Sequence, residues 1–166
     1  LREKDVNLDI ALRLEGMLKK AGAEVHMTRR KDTGVLLSER VEIAGRLRPH
    51  FLISIHQNGF YNLEVSGTEI YYYAGDTEAR NLGECIMDRL VEEAGAVNKG
   101  VKPANFYILR EAKVNSLQLE LFYITNPAEE ERLKSEDFRT KVARAVFNGI
   151  MLYYRAGALN GAREPV

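Results

Sequence analysis

Residues 51–56 read Phe-Leu-Ile-Ser-Ile-His, and the polar stretch Gln57-Asn58-Gly59 follows at once. This apolar run, bounded by Pro49 and Gly59, is too short for an independent helix and predicts a strand covered on both faces. In open α/β sheets, ligands bind beyond the carboxyl ends of the strands, where this run places His56. A single histidine at a strand end more often has a structural role, so the rest of the chain must decide its function.

The elements around this strand predict an α/β fold. The periodicity predicts, in chain order, a helix at 5–21, a short strand at 25–27, a helix at 38–47, the strand at 51–56, a strand at 67–74, a helix from about 76 to 95, short strands at 106–109 and 116–123, and helices starting near 127 and 135 and ending near 154. This order is typical of crossovers that feed a mixed, largely parallel sheet with helices on both faces. We expect one domain, residues 1–156, and a C-terminal tail or linker, residues 157–166.

The totals exclude several classes of protein. The 24 Lys and Arg residues are balanced by 24 Asp and Glu residues, so no net charge attracts nucleic acid or an anionic membrane. The single cysteine cannot form an internal disulfide, so cysteine usage neither requires nor excludes an oxidising compartment. No apolar run is long enough to span a membrane. We expect a monomeric chain of 166 residues that binds no nucleic acid and has its own core.

A carboxylate interrupts the strand predicted at residues 116–123. Leu117, Leu119 and Leu121 point to one side of this strand, and Gln118 and Glu120 point to the other. A carboxylate buried without a partner is costly, so it is normally paired, protonated or bound to a ligand. Glu120 is therefore a candidate functional residue.

His56, Glu120 and Glu3 form the most informative set of polar residues. Histidine and carboxylate ligands suit zinc, and a second carboxylate can act as a general base. Spacing alone does not show that the three meet, and Glu3 also suits the first turn of a helix as an end charge. His50, six residues before His56 on the same strand, would lie roughly 20 Å away and cannot share its metal. We expect His26 to be structural or exposed.

Several blocks together resemble a known family. They are Glu3-Lys4-Asp5-Val6-Asn7-Leu8, Met27-Thr28-Arg29 with Asp32, residues 37–41, residues 51–56, and Glu120 with Ile124-Thr125-Asn126-Pro127. In this order they are similar to the zinc-dependent N-acetylmuramoyl-L-alanine amidases, from residue 1 to about residue 154. The resemblance implies a phosphorylase/hydrolase-like α/β fold. It also implies a first strand, with a zinc-binding histidine, that we expect to lie before Leu1.

The resemblance implies a reaction and roles for individual residues. Glu3 and His56 would bind zinc with that further histidine, and Glu120 would act in catalysis. The substrate would be peptidoglycan, cut at the amide between N-acetylmuramic acid and L-alanine, in cell-wall remodelling or daughter-cell separation. We expect an extracytoplasmic location, in the periplasm or cell wall, with a signal segment outside this chain. Asn58 is a candidate substrate contact, although a role as a turn former is equally expected.

Two further expectations concern regulation and alternatives. The connections at residues 57–66 and 75–76 are too short for an inserted inhibitory helix, so we expect an enzyme that is not autoinhibited in that way. Phe122 stands where the family usually has glycine, and Asn115 and Gln118 also depart from its pattern. These departures leave a non-catalytic peptidoglycan-binding domain as an alternative. A zinc carboxypeptidase-like hydrolase is another, and it would need an arginine placed to clamp a terminal carboxylate.

Overall fold

The computed structural model describes residues 1–161, with side chains through residue 157. Its helices are α1 (Glu3–Lys20), α2 (Leu37–Leu47), α3 (Thr77–Ala94), α4 (Tyr107–Glu111), α5 (Pro127–Lys134) and α6 (Glu136–Gly161). Its strands are β1 (Leu52–Asn58), β2 (Thr68–Tyr72), β3 (Asn98–Pro103) and β4 (Ser116–Tyr123). Among these helices, none combines the length and apolar character needed to cross a bilayer.

The four strands form one mixed sheet in the order β1-β4-β2-β3. β1 is parallel to β4, β2 is parallel to β3, and β2 is antiparallel to β4. The predicted α/β class with a mixed sheet is therefore confirmed. Parallel pairing of β1 with β4 is possible because α3 and the segments around it cross back over the sheet between them.

The sheet has one apolar face and one polar face. On β4 the side chains of Leu117, Leu119 and Leu121 are fully buried, whereas Gln118 and Glu120 are only half-buried. The apolar face packs against α1, α3 and α6 in a single core, which includes Val6, Ile10, Ile70, Leu82, Ile86, Leu90, Val142 and Val146. Three helices thus cover one face, and the polar side chains of alternate positions are collected on the other.

Helices α3 and α6 approach each other closely at Gly149. A Cβ atom at this glycine would lie only 2.5 Å from Cα of Ile86 and 2.9 Å from the carbonyl oxygen of Cys85. Both atoms belong to backbone, so they cannot move aside as a flexible side chain would. The small residue is therefore required for the contact between these two helices.

Glu129 of α5 connects the two inner strands, β2 and β4, at one end of the sheet. Its side chain is buried and accepts hydrogen bonds from the backbone N–H groups of Gly67, at 3.0 Å, and Tyr123, at 2.7 Å. These two groups stand just before β2 and at the end of β4. One carboxylate therefore fixes the relative positions of the two antiparallel strands.

The strand predicted at residues 25–27 is wrong. Residues 21–36 have no regular secondary structure, although Val25 and Met27 alternate with polar residues. Side chains hold this segment to α1: Arg29 donates to the carbonyl oxygen of Lys4 at 2.6 Å, and Arg30 pairs with Glu15. A strand needs a backbone partner, and within the described residues this segment pairs with none.

The strand predicted at residues 106–109 is also wrong, since these residues enter α4. The strand of this region is β3, in a stretch where the sequence analysis places no strand. β3 pairs in parallel with β2, and Gly100 within it adopts φ = 114°. Ile108 and Leu109 are buried in the short helix. A four-residue apolar run does not distinguish a strand from a buried helical turn.

Two smaller differences concern β1 and the C-terminus. β1 is half-buried at six of its seven positions rather than covered on both faces. Helix α6 continues to Gly161, beyond its predicted end near Tyr154. Residues 157–161 of the predicted tail are therefore helical, and residues 162–166 lie outside the described residues.

Candidate active site

Glu3 and His56 are in contact at the carboxyl end of β1. His56 Nδ1 donates to Glu3 Oε1 at 2.9 Å, and Ser54 Oγ lies 3.1 Å from the other ring nitrogen. The same carboxylate oxygen accepts from Asn7 Nδ2 at 3.0 Å and from the backbone N–H of Gln57 at 3.3 Å. The pKa of Glu3 is lowered to about 2, chiefly because of the hydrogen bond from His56, whose effect outweighs that of partial burial. Glu3 is therefore ionised at neutral pH.

Four charged or titratable side chains, one from each strand, follow one another across the sheet. His56 is opposite Glu120 in the parallel pair, and Glu120 is opposite Glu69 in the antiparallel pair. Lys102 on β3 is opposite Tyr71, two residues beyond Glu69. We call His56, Glu120, Glu69 and Lys102 the polar row. With neighbouring strands about 4.8 Å apart, the polar row crosses about 15 Å of the polar face.

Glu120 occupies the middle of the polar row. One carboxylate oxygen accepts a hydrogen bond from Gln118 Nε2 at 2.7 Å. Burial raises the pKa of Glu120, the negative charges of Glu3 and Glu69 add to this effect, and Gln118 and His56 do not offset it. A carboxylate with a raised pKa is suited to accept a proton and return it near neutral pH.

Glu69 is a site residue that the sequence analysis missed. It is 9% exposed, and its carboxylate accepts from Lys102 Nζ at 2.8 Å, Asn58 Nδ2 at 3.0 Å and the Tyr123 hydroxyl at 3.2 Å. Burial raises its pKa, but Lys102 and the tyrosine hydroxyls outweigh burial and leave the pKa lowered. A carboxylate within the apolar strand Thr68–Tyr72 is the same signal that identified Glu120, and it could have identified Glu69.

Two tyrosines remain hydrogen-bond donors around this carboxylate. Burial, followed by the charge of Glu69, raises the pKa of Tyr71 to about 12 and that of Tyr123 to about 12. Both phenols therefore stay protonated at any physiological pH. They can therefore donate hydrogen bonds to Glu69 while remaining neutral themselves.

The structure brings together three of the four predicted site residues and gives the fourth a clear position. Glu3 contacts His56, and Glu120 lies on the next strand. Asn58 Nδ2 donates to Glu69, and Asn58 Oδ1 accepts from the backbone N–H of Gly59 at 2.9 Å. Asn58 therefore shapes the turn and supports the polar row, and its contact with substrate remains a prediction.

The other two histidines lie apart from the polar row. His26 is exposed and pairs with Glu24 at 2.8 Å, as expected of an exposed histidine. His50 Nδ1 lies 3.5 Å from the hydroxyl of Tyr154. Neither contacts His56.

A large cavity beside β1 does not contain the whole site. It measures about 1190 Å³ between α1, α2, β1 and the segment at residues 23–35, and both Glu3 and His56 line it. Glu120 does not line it. The three residues therefore meet on the polar face at the end of β1, and the cavity opens on one side of this point.

Glu3 and His56 provide ligands of the kind that zinc uses. An imidazole nitrogen and a carboxylate oxygen are ligand types that zinc takes in proteins, and catalytic zinc sites usually have three protein ligands. Within residues 1–161 no group of three His, Cys, Asp or Glu side chains is arranged to hold a metal. Glu3 and His56 therefore fit a zinc site in their chemistry, and their role as zinc ligands stays a prediction.

The sequence as a whole decides the family. The family model described as N-acetylmuramoyl-L-alanine amidase matches residues 1–151. The chain belongs to the N-acetylmuramoyl-L-alanine amidase family. The amidase LytC of Bacillus subtilis (strain 168) is 36% identical over 160 residues, which are 93% of this chain and 32% of LytC. This chain thus spans about a third of the length of that relative.

Solved amidase structures have the same fold. The amidase AmiC2 of Nostoc punctiforme superposes with a TM-score of 0.86 at 34% identity, over 92% of this chain and 84% of AmiC2. The CwlD amidase of Clostridioides difficile, solved in complex with the GerS lipoprotein, gives 0.89 at 27% identity, over 93% and 87% of the two chains. These likenesses confirm the family and the fold that the sequence resemblance implied.

Proposed function

We propose that this chain hydrolyses the amide bond between N-acetylmuramic acid and L-alanine in peptidoglycan, with Glu120 as the catalytic residue. The observation that carries the proposal is the position of Glu120 opposite His56, with a pKa raised by burial and by Glu3 and Glu69. Membership of the amidase family indicates which bond is cut. The pKa values of Glu3 and Glu69 are lowered, so these two carboxylates stay ionised. Of the three carboxylates, only Glu120 is suited to exchange a proton.

Glu120 transfers one proton from the attacking water molecule to the leaving group. Glu120 takes a proton from the water molecule that attacks the amide carbonyl carbon, and then delivers it to the leaving nitrogen as the carbon–nitrogen bond breaks. The products are the lactyl carboxylic acid of the sugar and a peptide with a free L-alanine amino group. Gln118 holds the Glu120 carboxylate toward the polar face, and Ser54 contacts the His56 ring.

Zinc is the proposed cofactor. Glu3 and His56 would hold it with a third protein ligand. When bound, zinc would lower the pKa of a water ligand toward neutrality and polarise the scissile carbonyl. The hydrogen bonds from Asn7 and the Gln57 backbone to Glu3 would keep this carboxylate oriented.

The proposed setting is the bacterial cell wall, outside the cytoplasm. A polymeric substrate needs an open surface, and the polar row lies across a sheet face rather than inside a closed cavity. The connection from β1 to β2, residues 59–67, contains no helix that could cover this face. We therefore propose an enzyme that is not autoinhibited by a helix in this connection, and we propose that it is a monomer.

The experiment compares Glu120→Ala with Glu131→Ala in a polypeptide that carries the complete ligand set. Purified peptidoglycan is the substrate, and new L-alanine amino termini are counted while bound zinc is measured in parallel. We expect Glu120→Ala to lose at least about a hundredfold in rate and to keep its zinc, because a general base contributes roughly that factor. Glu131, an exposed residue of α5, should be replaceable without effect.

Each other outcome has a definite meaning. Turnover retained by Glu120→Ala would remove Glu120 from its assigned role. Binding of peptidoglycan without release of peptides, by the unsubstituted protein, would indicate a non-catalytic wall-binding domain. Release of a C-terminal amino acid instead of an L-alanine amino terminus would indicate a carboxypeptidase.

A further inference from the structure

Lys102 lies at the end of the polar row farthest from Glu3. It belongs to β3, the edge strand beyond β2, and its Nζ atom donates to Glu69 Oε1 at 2.8 Å. Its side chain is 44% exposed, whereas the side chain of Glu69 is 11% exposed. A buried carboxylate thus holds an ammonium group that still faces solvent above the polar face.

This pair has more hydrogen-bonding capacity than the fold uses. Glu69 Oε2 accepts from two neutral donors, Asn58 and Tyr123, while Oε1 accepts from Lys102. An ammonium group has three N–H donors, and the hydrogen bond to Glu69 uses one of them. The rest are directed away from this carboxylate and can meet an anion from solvent.

Other charged groups around Lys102 do not replace it. The nearest lysine on the same strand, Lys99, has its Nζ atom 5.0 Å from the centre of the Tyr123 ring. The other members of the polar row are carboxylates or an imidazole. Lys102 is therefore the cation of the polar row.

The distance from the reacting bond suits a particular part of the substrate. Lys102 is two strands across the sheet from Glu120 and two residues along it, which is about 12 Å between backbones, and its long side chain shortens this gap. An extended peptide advances about 3.5 Å per residue, so a group two residues from the scissile amide lies about 7 Å away. The sugar would then lie toward β1 and the peptide toward β3.

We propose that Lys102, held by Glu69, binds a free carboxylate of the stem peptide, on the residue that follows L-alanine. The proposal rests on the amidase function proposed above and names a determinant of its specificity. The carboxylate would accept N–H donors of Lys102 that Glu69 does not use. Substrates in which this carboxylate is an amide would lose the charge-assisted bond.

Two matched ligands test this directly. N-acetylmuramoyl-L-alanyl-D-glutamate and N-acetylmuramoyl-L-alanyl-D-isoglutamine differ only in a carboxylate or carboxamide at the position in question. Their binding to the full chain is measured by calorimetry at pH 7, with a chelator present so that neither is cleaved. We expect the acid to bind about tenfold more tightly than the amide, the effect of one charge-assisted hydrogen bond.

Three variants assign the preference to Lys102. Lys102→Met should bind the two ligands equally, and Lys102→Arg should retain the preference. Lys141→Met removes the same charge from an exposed position on α6, which packs against the apolar face, and should behave as the unsubstituted protein. Thermal denaturation of Lys102→Met checks that it folds, because a purely structural ion pair would change stability and affect both ligands alike.

Any of three results would overturn the proposal: equal binding of the two ligands by the unsubstituted protein, no binding of either, or a preference that survives Lys102→Met. The failure of the amidase function is separate. It would appear as intact peptidoglycan in the zinc-loaded assay, even where the acid still binds more tightly than the amide.

Discussion

Glu69 and Glu120 lie directly opposite each other in the antiparallel pair of β2 and β4, with both side chains on the polar face. The pKa of Glu69 is lowered and that of Glu120 is raised. The difference follows from their partners, because Lys102 and Tyr123 stabilise the charge of Glu69, while burial dominates at Glu120. Two carboxylates on neighbouring strands thus have pKa values shifted in opposite directions, which suits Glu69 to remain charged and Glu120 to exchange a proton.

Replacing Glu69 by glutamine should move the acid limb of the pH–rate profile to lower pH. The negative charge of Glu69 contributes to the raised pKa of Glu120, so removing this charge lowers that pKa. A base of lower pKa is ionised at lower pH, and kcat/KM therefore falls only at more acidic values. The measurement is kcat/KM for soluble peptidoglycan fragments from pH 4 to 8.

The control for this change is Glu64→Gln, in the exposed connection between β1 and β2. It should leave the profile in place. A shift of the acid limb to higher pH in Glu69→Gln would contradict the assignment of Glu120 as the base.

Asp9 should make the stability of the fold dependent on acid pH. Its carboxylate accepts from Arg13 Nε at 2.9 Å and from Arg139 Nε at 2.5 Å, and so joins α1 to α6. Burial raises its pKa, but the two arginines outweigh burial and lower the pKa below the ordinary value of 3.8. A lowered pKa means that this contribution is complete above pH 3.8 and is lost as the pH falls further.

Asp9→Asn should therefore lower the free energy of unfolding by about 1 kcal/mol at pH 7, and by less below pH 4. Urea denaturation at several pH values measures both. Asp5→Asn, which removes a carboxylate from an exposed pair with Arg2, is the matched control and should change little. A difference that grows toward acid pH would show that the sign is wrong.

Two glycine substitutions should have opposite effects. Gly149→Ala should destabilise the fold by about 2 kcal/mol or more, because its Cβ would meet the backbone of α3. Gly16→Ala should stabilise it by about 0.5–1 kcal/mol, because Gly16 lies within α1 and nothing stands within 4 Å of its added Cβ. Thermal and urea denaturation of both variants test the pair. Equal effects would mean that packing between α3 and α6 is looser than the structure shows.

The sequence predicted the parts of the site that depend on local patterns. The apolar run ending at His56 identified a strand and its polar end. The alternation around Glu120 identified a carboxylate on the polar side of another strand. The entry of α1 near Glu3 followed from helical periodicity. In each case, the signal was contained within about ten residues.

The parts that sequence reasoning missed depend on long-range pairing. β3 contains Gly100 and Pro103 and has no apolar alternation, so only its hydrogen bonds with β2 reveal it as a strand. Without β3, the position of Lys102 beside Glu69 could not be foreseen. Residues 25–27 show the converse, because a strand-like pattern without a bonded neighbour remains irregular.

The order of the strands also has a consequence for how the protein folds. Glu3 and His56 are separated by 53 residues, and the pairing of β1 with β4 joins segments that are farther apart still. Contacts of this range form late, because the entropy of closing long loops must be met before they become favourable. Glu120 comes next to His56 only through the pairing of β1 with β4. On refolding from denaturant, the polar row is therefore expected to form only when these two strands have paired.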